Sequence, residues 1–564
     1  MNLKKKKDPY LPPDDALWFL PLGGSGEIGM NLNLYGTAGK WLMVDCGIMF
    51  GDETTPGIDI ITPDISFIAE RSADLLGIVI THAHEDHLGA IEHLWPQLRC
   101  PIYAAPFAAA MIRAKLAQAG LQNQVCVNEI PNGGSCELGP FAVEFVRVTH
   151  SVPDSHMLAI NTVHGRVIHT GDWKLDDEPV VGYLTDEQRF RELGHDGVMA
   201  VVGDSTGALV TTPVPSEIDA QRGLKKLFNG RKGRIAVTCF ASNIARLRSI
   251  AAAARENGRY VSLVGRSLWR NAEMAAELGY FPEFNGFLSE HEAMQSPRDK
   301  IVMVCTGCQG EKRAALSRIA AFDHPVAELE RGDVVFFSSR DIPGNEKAIA
   351  RVQNLLISQG IDVVTADHVP QGTLLHASGH AGQPEMKIFY EWVKPRLIVP
   401  VHGEVRHQVE HERLAHNLGF TRTMISKNGK LMRLGPGVYE EIAEVPVGRW
   451  GLDGINLRPL DETVAKDRRK MNFNGAAVVT LVLDRRGIAV CDPQVTLLGV
   501  DDEHTIASLR EELSNHILDE LERMPRSILL SDKGLKEAVF KVIRRRLRET
   551  QGKKPVVEVH LIRV

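Results

Sequence analysis

Thr81-His82-Ala83-His84-Glu85-Asp86-His87 follows directly on the apolar run Leu75-Leu76-Gly77-Ile78-Val79-Ile80. The run reads as a buried strand, and Gly89-Ala90 beyond the cluster reads as a sharp turn into a helix. Buried histidines ordinarily occur singly, and crowding three of them with two acids is costly unless something compensates. Alternation lets His82 and His84 aim ring nitrogens at one point, while Asp86 and His87 aim at a second point nearby. Imidazole and carboxylate together suit a borderline divalent metal such as zinc.

Other strand ends offer the remaining donors. Phe141-Ala142-Val143-Glu144-Phe145-Val146-Arg147-Val148 runs into Thr149-His150. Arg166-Val167-Ile168-His169-Thr170 runs into Gly171-Asp172, and Arg396-Leu397-Ile398-Val399-Pro400-Val401 into His402-Gly403. Each is a short apolar strand closing on one candidate ligand. Ligands on strand termini are held by the sheet, as a rigid site requires. One such end alone is weak evidence; their order after the first cluster makes the set strong.

Between Asp172 and His402 the chain alternates strands with helices. Strands are predicted at Arg234 to Phe240, Tyr260 to Val264, Ile301 to Cys305 and Val334 to Ser338, with helices after the first two at Ile244 to Asn257 and through Met274 to Leu278. Such alternation implies a parallel sheet, and so a second α/β domain inserted into the first.

His82, His84, Asp86, His87, His150, Asp172 and His402 together resemble the metallo-β-lactamase superfamily. The resemblance implies an α/β fold, an αββα sandwich of two mixed sheets. It implies two divalent metal ions: one on His82, His84 and His150, the other on Asp86, His87 and His402, with Asp172 between them. It also implies hydrolysis by water that the metal activates at neutral pH. Five imidazoles favour zinc over manganese or magnesium.

The inserted domain narrows the resemblance to the β-CASP nucleases and, within them, to the ribonuclease J family. Val201-Val202-Gly203-Asp204-Ser205-Thr206, His376-Ala377-Ser378-Gly379-His380-Ala381 and Val401-His402-Gly403-Glu404 are similar to that family's motifs. So are Leu22 to Asn31, Thr238 to Asn243 and Thr306-Gly307-Cys308-Gln309-Gly310-Glu311. The resemblance implies a metal-dependent ribonuclease acting in RNA maturation and decay. It would be a 5′-to-3′ exonuclease preferring 5′-monophosphate ends, with endonuclease activity as well. It further implies a C-terminal domain used in assembly as a homodimer or homotetramer.

Local chemistry is consistent with a single-stranded RNA substrate. His376, Ala377, Ser378, Gly379 and His380 combine a hydroxyl, two imidazoles and a glycine that permits close backbone approach, which suits a phosphate cradle. Ser242 and Asn243 stand where a strand hands over to a helix, and helix N-termini attract anions; the plain alternative for Ser242 is a helix cap. His380 is assigned as general acid to the leaving 3′ oxygen, charged or oriented by Asp204, and Asp86 as a group that orients or deprotonates the attacking water. The alternative is that His380 only stabilises phosphate charge.

Gly23-Gly24-Ser25-Gly26-Glu27-Ile28-Gly29 is not a dinucleotide loop, because Asn31 to Tyr35 reads as a strand where that motif needs a helix. Asp45-Cys46-Gly47 closes the strand Trp41 to Val44 and is expected to brace the metal loop. Cys305 and Cys308 form an isolated C-x-x-C, which reads as incidental thiols. The eight cysteines show no disulfide framework, so a cytoplasmic location is expected.

The 564 residues carry 44% hydrophobic side chains and a net charge of −6, against a globally basic nucleic-acid binder but compatible with a locally basic channel. No run approaches the ~20 apolar residues of a membrane helix. The expected organisation is a basic flexible arm over 1–14, the metallo-β-lactamase domain over 15–215 and 366–445, and the β-CASP insertion over 216–365. A linker over 446–467 and a small α+β C-terminal domain over 468–564 follow. The competing readings are a β-CASP DNA nuclease, a small-molecule hydrolase, which the inserted domain disfavours, and a non-catalytic RNA-binding partner subunit, which should have lost ligands.

Overall fold

A computed structural model describes residues 8–52, 54–342, 344–460 and 463–564, so the first seven residues of the expected basic arm lie outside the described residues. Residues 8–14 do not continue that arm. Asp8 accepts from Arg71 Nε at 2.8 Å, and the Tyr10 ring packs edge-on against Phe67.

Among the described residues, the first compact unit comprises 8–49 and 62–447. It holds two sheets whose facing sides share one core. An eight-stranded sheet contributes Phe19, Tyr35, Leu42 and Val79; a six-stranded sheet contributes Phe145, Leu158, Val202 and Val399. The outer side of the six-stranded sheet is covered by helices that bring Phe190, Phe389 and Trp392 against Trp173. Helices Ile91–Leu98 and Pro106–Gln118 flank the other sheet. This is the αββα sandwich the resemblance implied.

Strand register explains why distant residues meet. Gly165–His169, Ala200–Asp204 and Leu397–Val401 lie side by side and parallel, with His169 opposite Val202 and Asp204 opposite Val401. Adjacent strands stand about 4.8 Å apart. Residues leaving their C-terminal ends, Asp172, Asp204 and His402, are therefore delivered to one edge from positions far apart in the chain. Leu75–Ile80 is likewise interior to its sheet, parallel to both Lys40–Val44 and Ile102–Ala104, and it delivers the histidine cluster.

Between the second and third of those parallel strands the chain builds a five-stranded sheet. Its order is Tyr260–Val264, Ile301–Cys305, Ile235–Thr238, Val334–Phe337, Asp362–Val364, and every pairing is parallel. Its core includes Met303, Leu316, Val335, Phe337 and Leu356.

The second unit comprises residues 50–61 and 448–564. The expected linker is not structureless: Arg449–Asp453 and Asn456–Pro459 form an antiparallel hairpin, because Asp453-Gly454-Ile455-Asn456 supplies turn chemistry with Gly454 at φ +63°. Farther on, Ala476–Leu483 pairs with Gln494–Leu498 and Val556–Arg563. Strict alternation buries Ala477, Val479, Leu481 and Leu483 against Leu513, Ile517, Val539 and Ile543 of helices Glu503–Arg523 and Asp532–Gln551. Much of the basic end of the last helix is neutralised within this unit: Arg545 meets Glu520 at 2.8 Å, Arg546 meets Glu512, and Lys541 meets Glu537 at 3.0 Å.

All eight cysteines are free thiols. Cys305 and Cys308 are buried, and burial pushes both thiols far up. Among the described residues no helix is long and apolar enough to cross a membrane.

Phe145 is fully buried between the two sheets. Phe145→Ala should cost about 3–5 kcal/mol, seen in chemical denaturation as a lower unfolding midpoint for the first unit while the second unit's transition stays in place.

Candidate active site

The strand Leu75–Ile80 ends at Thr81, whose backbone N–H donates to Asp45 Oδ1 at 2.9 Å. From there the chain enters the short helix Glu85–Leu88, so His82, His84, Asp86 and His87 splay around one turn. Two groups of donors result. His82, His84, His150 and Asp172 have ligand atoms within 4.8 Å of one another, and so do Asp86, His87, Asp172 and His402. Asp172 belongs to both. All seven residues expected as ligands are thus brought together.

The two oxygens of Asp172 face different ways. Oδ1 lies 3.2 Å from both His87 Nε2 and His402 Nε2. Oδ2 lies 3.5 Å from His82 Nε2 and 3.8 Å from His150 Nε2. Oδ1 is buried with no hydrogen-bond partner among the described residues. An orphan of that kind calls for a cation or proton.

The donor set fits a divalent metal. His84 Nδ1 lies 3.2 Å from His82 Nε2 and 3.1 Å from His150 Nε2. Nitrogens shared by one tetrahedral zinc lie about 3.3 Å apart for Zn–N bonds near 2.0–2.1 Å. The outward nitrogens are held by other partners: His150 Nδ1 by Gly379 O at 2.6 Å, His82 Nδ1 by Thr81 Oγ1 at 2.9 Å, and His84 Nε2 by Ser151 Oγ at 3.2 Å. Those contacts orient the rings and set their tautomers.

Electrostatics differ between the groups. Burial, then the neighbouring His82, pushes the His84 pKa down to about 3, and burial with His84 and His82 puts His150 well below the usual imidazole range. These rings are neutral, as ligands must be. At the other group burial also opposes charge, but Asp172 and Asp86, joined by Asp45 at His87 and by Asp204 at His402, outweigh it and raise both imidazoles. That excess negative charge is where a cation displaces protons.

The bracing role expected for Asp45 is visible. Asp45 Oδ2 lies 2.7 Å from His87 Nδ1, and Cys46 N–H donates to His87 O at 2.7 Å. Asp45 and His402 both adopt left-handed backbone, φ 62° and 47°, a strain that clusters at functional sites. A Cβ on Gly47 would stand 1.7 Å from Asp86 O, so only glycine lets this loop pass the turn. The glycine-rich turn does the same work from the opposite side. Gly24 O accepts His402 N–H at 2.7 Å, and Asn31 Nδ2 lies 3.1 Å from both Asp86 O and His87 Nε2.

His380 stands beside the paired groups. Its Nδ1 lies 2.8 Å from Asp204 Oδ2 and its Nε2 3.9 Å from Asp172 Oδ2. Burial works against its charge, but Asp204, then Asp172, outweigh burial and push its pKa up to about 9. Ser378 Oγ accepts His380 N–H at 3.1 Å. On the other candidate phosphate segment, Asn243 rather than Ser242 is the helix cap: its Oδ1 accepts Arg246 N–H at 2.8 Å. Sequence reading did not single out Asn31 or Arg246, which hold the Asp86–His87 turn and the helix start at Asn243. Nothing in their local pattern distinguishes them from turn or surface residues.

Paired imidazole–carboxylate groups at the edge of an αββα sandwich, with an α/β insertion beside them, define a metallohydrolase of the metallo-β-lactamase class. Family models agree in chain order: "Beta-lactamase superfamily domain" at 40–196, "Ribonuclease J, beta-CASP domain" at 232–356, "Zn-dependent metallo-hydrolase RNA specificity domain" at 372–425 and "Ribonuclease J C-terminal domain" at 463–564. The chain is 43% identical over its full length to a Ribonuclease J of Sinorhizobium meliloti, also covered completely. It is 32% identical to one from Thermus thermophilus, covering 97% of this chain and 95% of that one. A solved structure of a protein of unknown function from Enterococcus faecalis shares the fold, with TM-score 0.51 and 15% identity over 74% of this chain and 100% of that one. This chain belongs to the ribonuclease J family.

Asp45→Ala removes the acceptor at His87 Nδ1. Metal affinity should fall about 10–100-fold, read by competition with a chromophoric chelator, while circular dichroism stays unchanged.

Proposed function

We propose that this chain is a metal-dependent ribonuclease that hydrolyses RNA phosphodiesters. It degrades single strands 5′-to-3′ from 5′-monophosphate ends and also cuts internally, in RNA maturation and decay. The observation that carries this reading is the convergence of seven donors on two adjoining groups with Asp172 common to both. Membership of the ribonuclease J family supports RNA as the polymer.

His82, His84 and His150 would hold one divalent ion, and Asp86, His87 and His402 the other, with Asp172 between them. Five imidazoles in the set favour zinc. When bound, such a pair supplies Lewis acidity toward the phosphoryl oxygens and lowers the pKa of water. The protein supplies the rest. Asp86, part-exposed beside the pair, orients the attacking water. His380, kept cationic by Asp204, donates its proton to the leaving 3′ oxygen. His376, Ala377, Ser378 and Gly379 cradle the phosphate at the substrate's 5′ end, together with Ser242 and the helix start at Asn243. Holding the terminal phosphate fixes which phosphodiester reaches His380, and so directs cleavage to the 5′ end. The reading further includes a cytoplasmic enzyme assembled as a homodimer or homotetramer.

Three substrates, 5′-monophosphate RNA, 5′-triphosphate RNA and single-stranded DNA, each with and without chelator, test the proposal. Monophosphate RNA should be cleaved fastest and chelator should abolish the reaction; DNA cleaved as fast as RNA would overturn it. His380→Ala should lower turnover about 10²–10⁴-fold with metal content retained, and normal turnover would remove the general-acid role. Ser378→Ala combined with Ser242→Ala should erase the preference for 5′-monophosphate over 5′-hydroxyl RNA, measured as the ratio of kcat/KM values.

A further inference from the structure

Arg246 is completely buried on the helix Ile244–Glu256. A guanidinium in that position must be paired and its donors filled. Glu217 takes Nε at 2.7 Å and Nη2 at 3.0 Å. The other bonds go to backbone and side-chain acceptors of two separate segments. Nη1 donates to Ser338 O and Ser338 Oγ, both at 2.7 Å, and Nη2 to Ala377 O at 3.3 Å. Ser338 Oγ donates onward to Leu375 O at 2.7 Å. The backbone N–H of Arg246 is itself held by Asn243 Oδ1. One residue therefore joins the helix start that carries Ser242 to the loop that carries His376 to Gly379.

The same guanidinium fixes a protonation state. His376 Nδ1 lies 3.2 Å from Arg246 Nη1. Nη1 has two hydrogens, both already directed at Ser338, so the ring shares one of them; a guanidinium has donors only, and in that shared contact Nδ1 accepts while the neutral ring carries its proton on Nε2. The charged groups around the ring act in one direction. Burial, then Arg246, keep the imidazole well below its usual range; the Ser338 carbonyl opposes them, and Arg340 and Lys174 add to them. A neutral Nε2–H recognises an oxygen by hydrogen-bond direction rather than by net charge, which makes its placement decisive.

We propose that Arg246, braced by Glu217 and Ser338, is a positioning residue for recognition of the RNA 5′-phosphate: it clamps the 375–377 backbone and locks His376 as a neutral Nε2–H donor. This rests on the proposed 5′-phosphate-dependent ribonuclease and adds the residues that set its end specificity.

The test compares kcat and KM for one RNA bearing a 5′-monophosphate or a 5′-hydroxyl, using the metal-loaded full-length enzyme, Arg246→Lys and Ser338→Ala. The ratio of kcat/KM values, monophosphate over hydroxyl, should fall about tenfold or more in Arg246→Lys and by a smaller factor in Ser338→Ala, while 5′-hydroxyl cleavage falls far less. An equal loss on both substrates, or an unchanged ratio, overturns the proposal; Ser338→Ala decides the matter if Arg246→Lys fails to fold. Nitrogen NMR of ¹⁵N-histidine-labelled protein, with His376 identified through His376→Asn, gives a readout independent of RNA. Its ring should show the neutral Nε2–H pattern throughout about pH 6 to 8, and an Nδ1–H or cationic ring overturns the assignment. Wild-type enzyme that cleaves RNA with no end preference would instead sink the underlying functional reading while leaving the ring's tautomer as found.

Discussion

The carboxylate of Asp172 is the constraint around which the first unit is organised. It is buried, one oxygen faces His87 and His402, and the other faces His82 and His150. Burial alone would drive this group neutral, yet the imidazoles His402, His87, His380 and His82 outweigh that and hold its pKa well below the carboxylate range. A single charged group thus ties together donors from both sheets. Each neighbouring loop is shaped to keep it so: Gly47 passes the Asp86 turn where no side chain fits, and the glycine-rich turn carries the backbone acceptor for His402.

The second organising fact is where the inserted domain leaves the sandwich. The chain departs after Ala200–Asp204 and returns through Leu397–Val401, strands that are direct neighbours in one parallel sheet. Departure and return therefore both sit at the edge where Asp204 and His402 emerge. An α/β layer grown from that point is bound to lie beside the paired donor groups, and its own contribution, the helix start at Ser242 and Asn243, is tied back by Arg246 to the loop of His376 and His380. The paired donor groups, the loop of His376 to His380 and the helix start at Asn243 are in this way held in one connected hydrogen-bond framework.

Much of this was legible before folding. The apolar run ahead of His82 and the three later strand ends carry period-independent signals: short buried strands closing on a ligand and a turn residue. The α/β alternation of the insertion was equally plain, as was the C-terminal strand Ala476–Leu483 with its alternating face. Other features were hidden. The hairpin Arg449–Asp453 with Asn456–Pro459 looked like a linker because Gly448, Gly451, Gly454 and Pro459 punctuate the stretch and no long apolar run marks its two short strands. Residues 8–14 looked continuous with a basic arm, since the anchors that hold them, Arg71 and Phe67, lie far along the chain.

By itself the sequence determined the kinds of donor available, their order, and the family to which the chain belongs, since these are properties of residue type and spacing. Only the tertiary structure decided which oxygen of Asp172 faces which imidazoles, that Asn243 caps a helix, and that Arg246 is an interior clamp rather than one more solvated arginine. The reason is physical: direction, burial and protonation state depend largely on neighbours contributed by strands and loops tens to hundreds of residues away, and no local pattern records those.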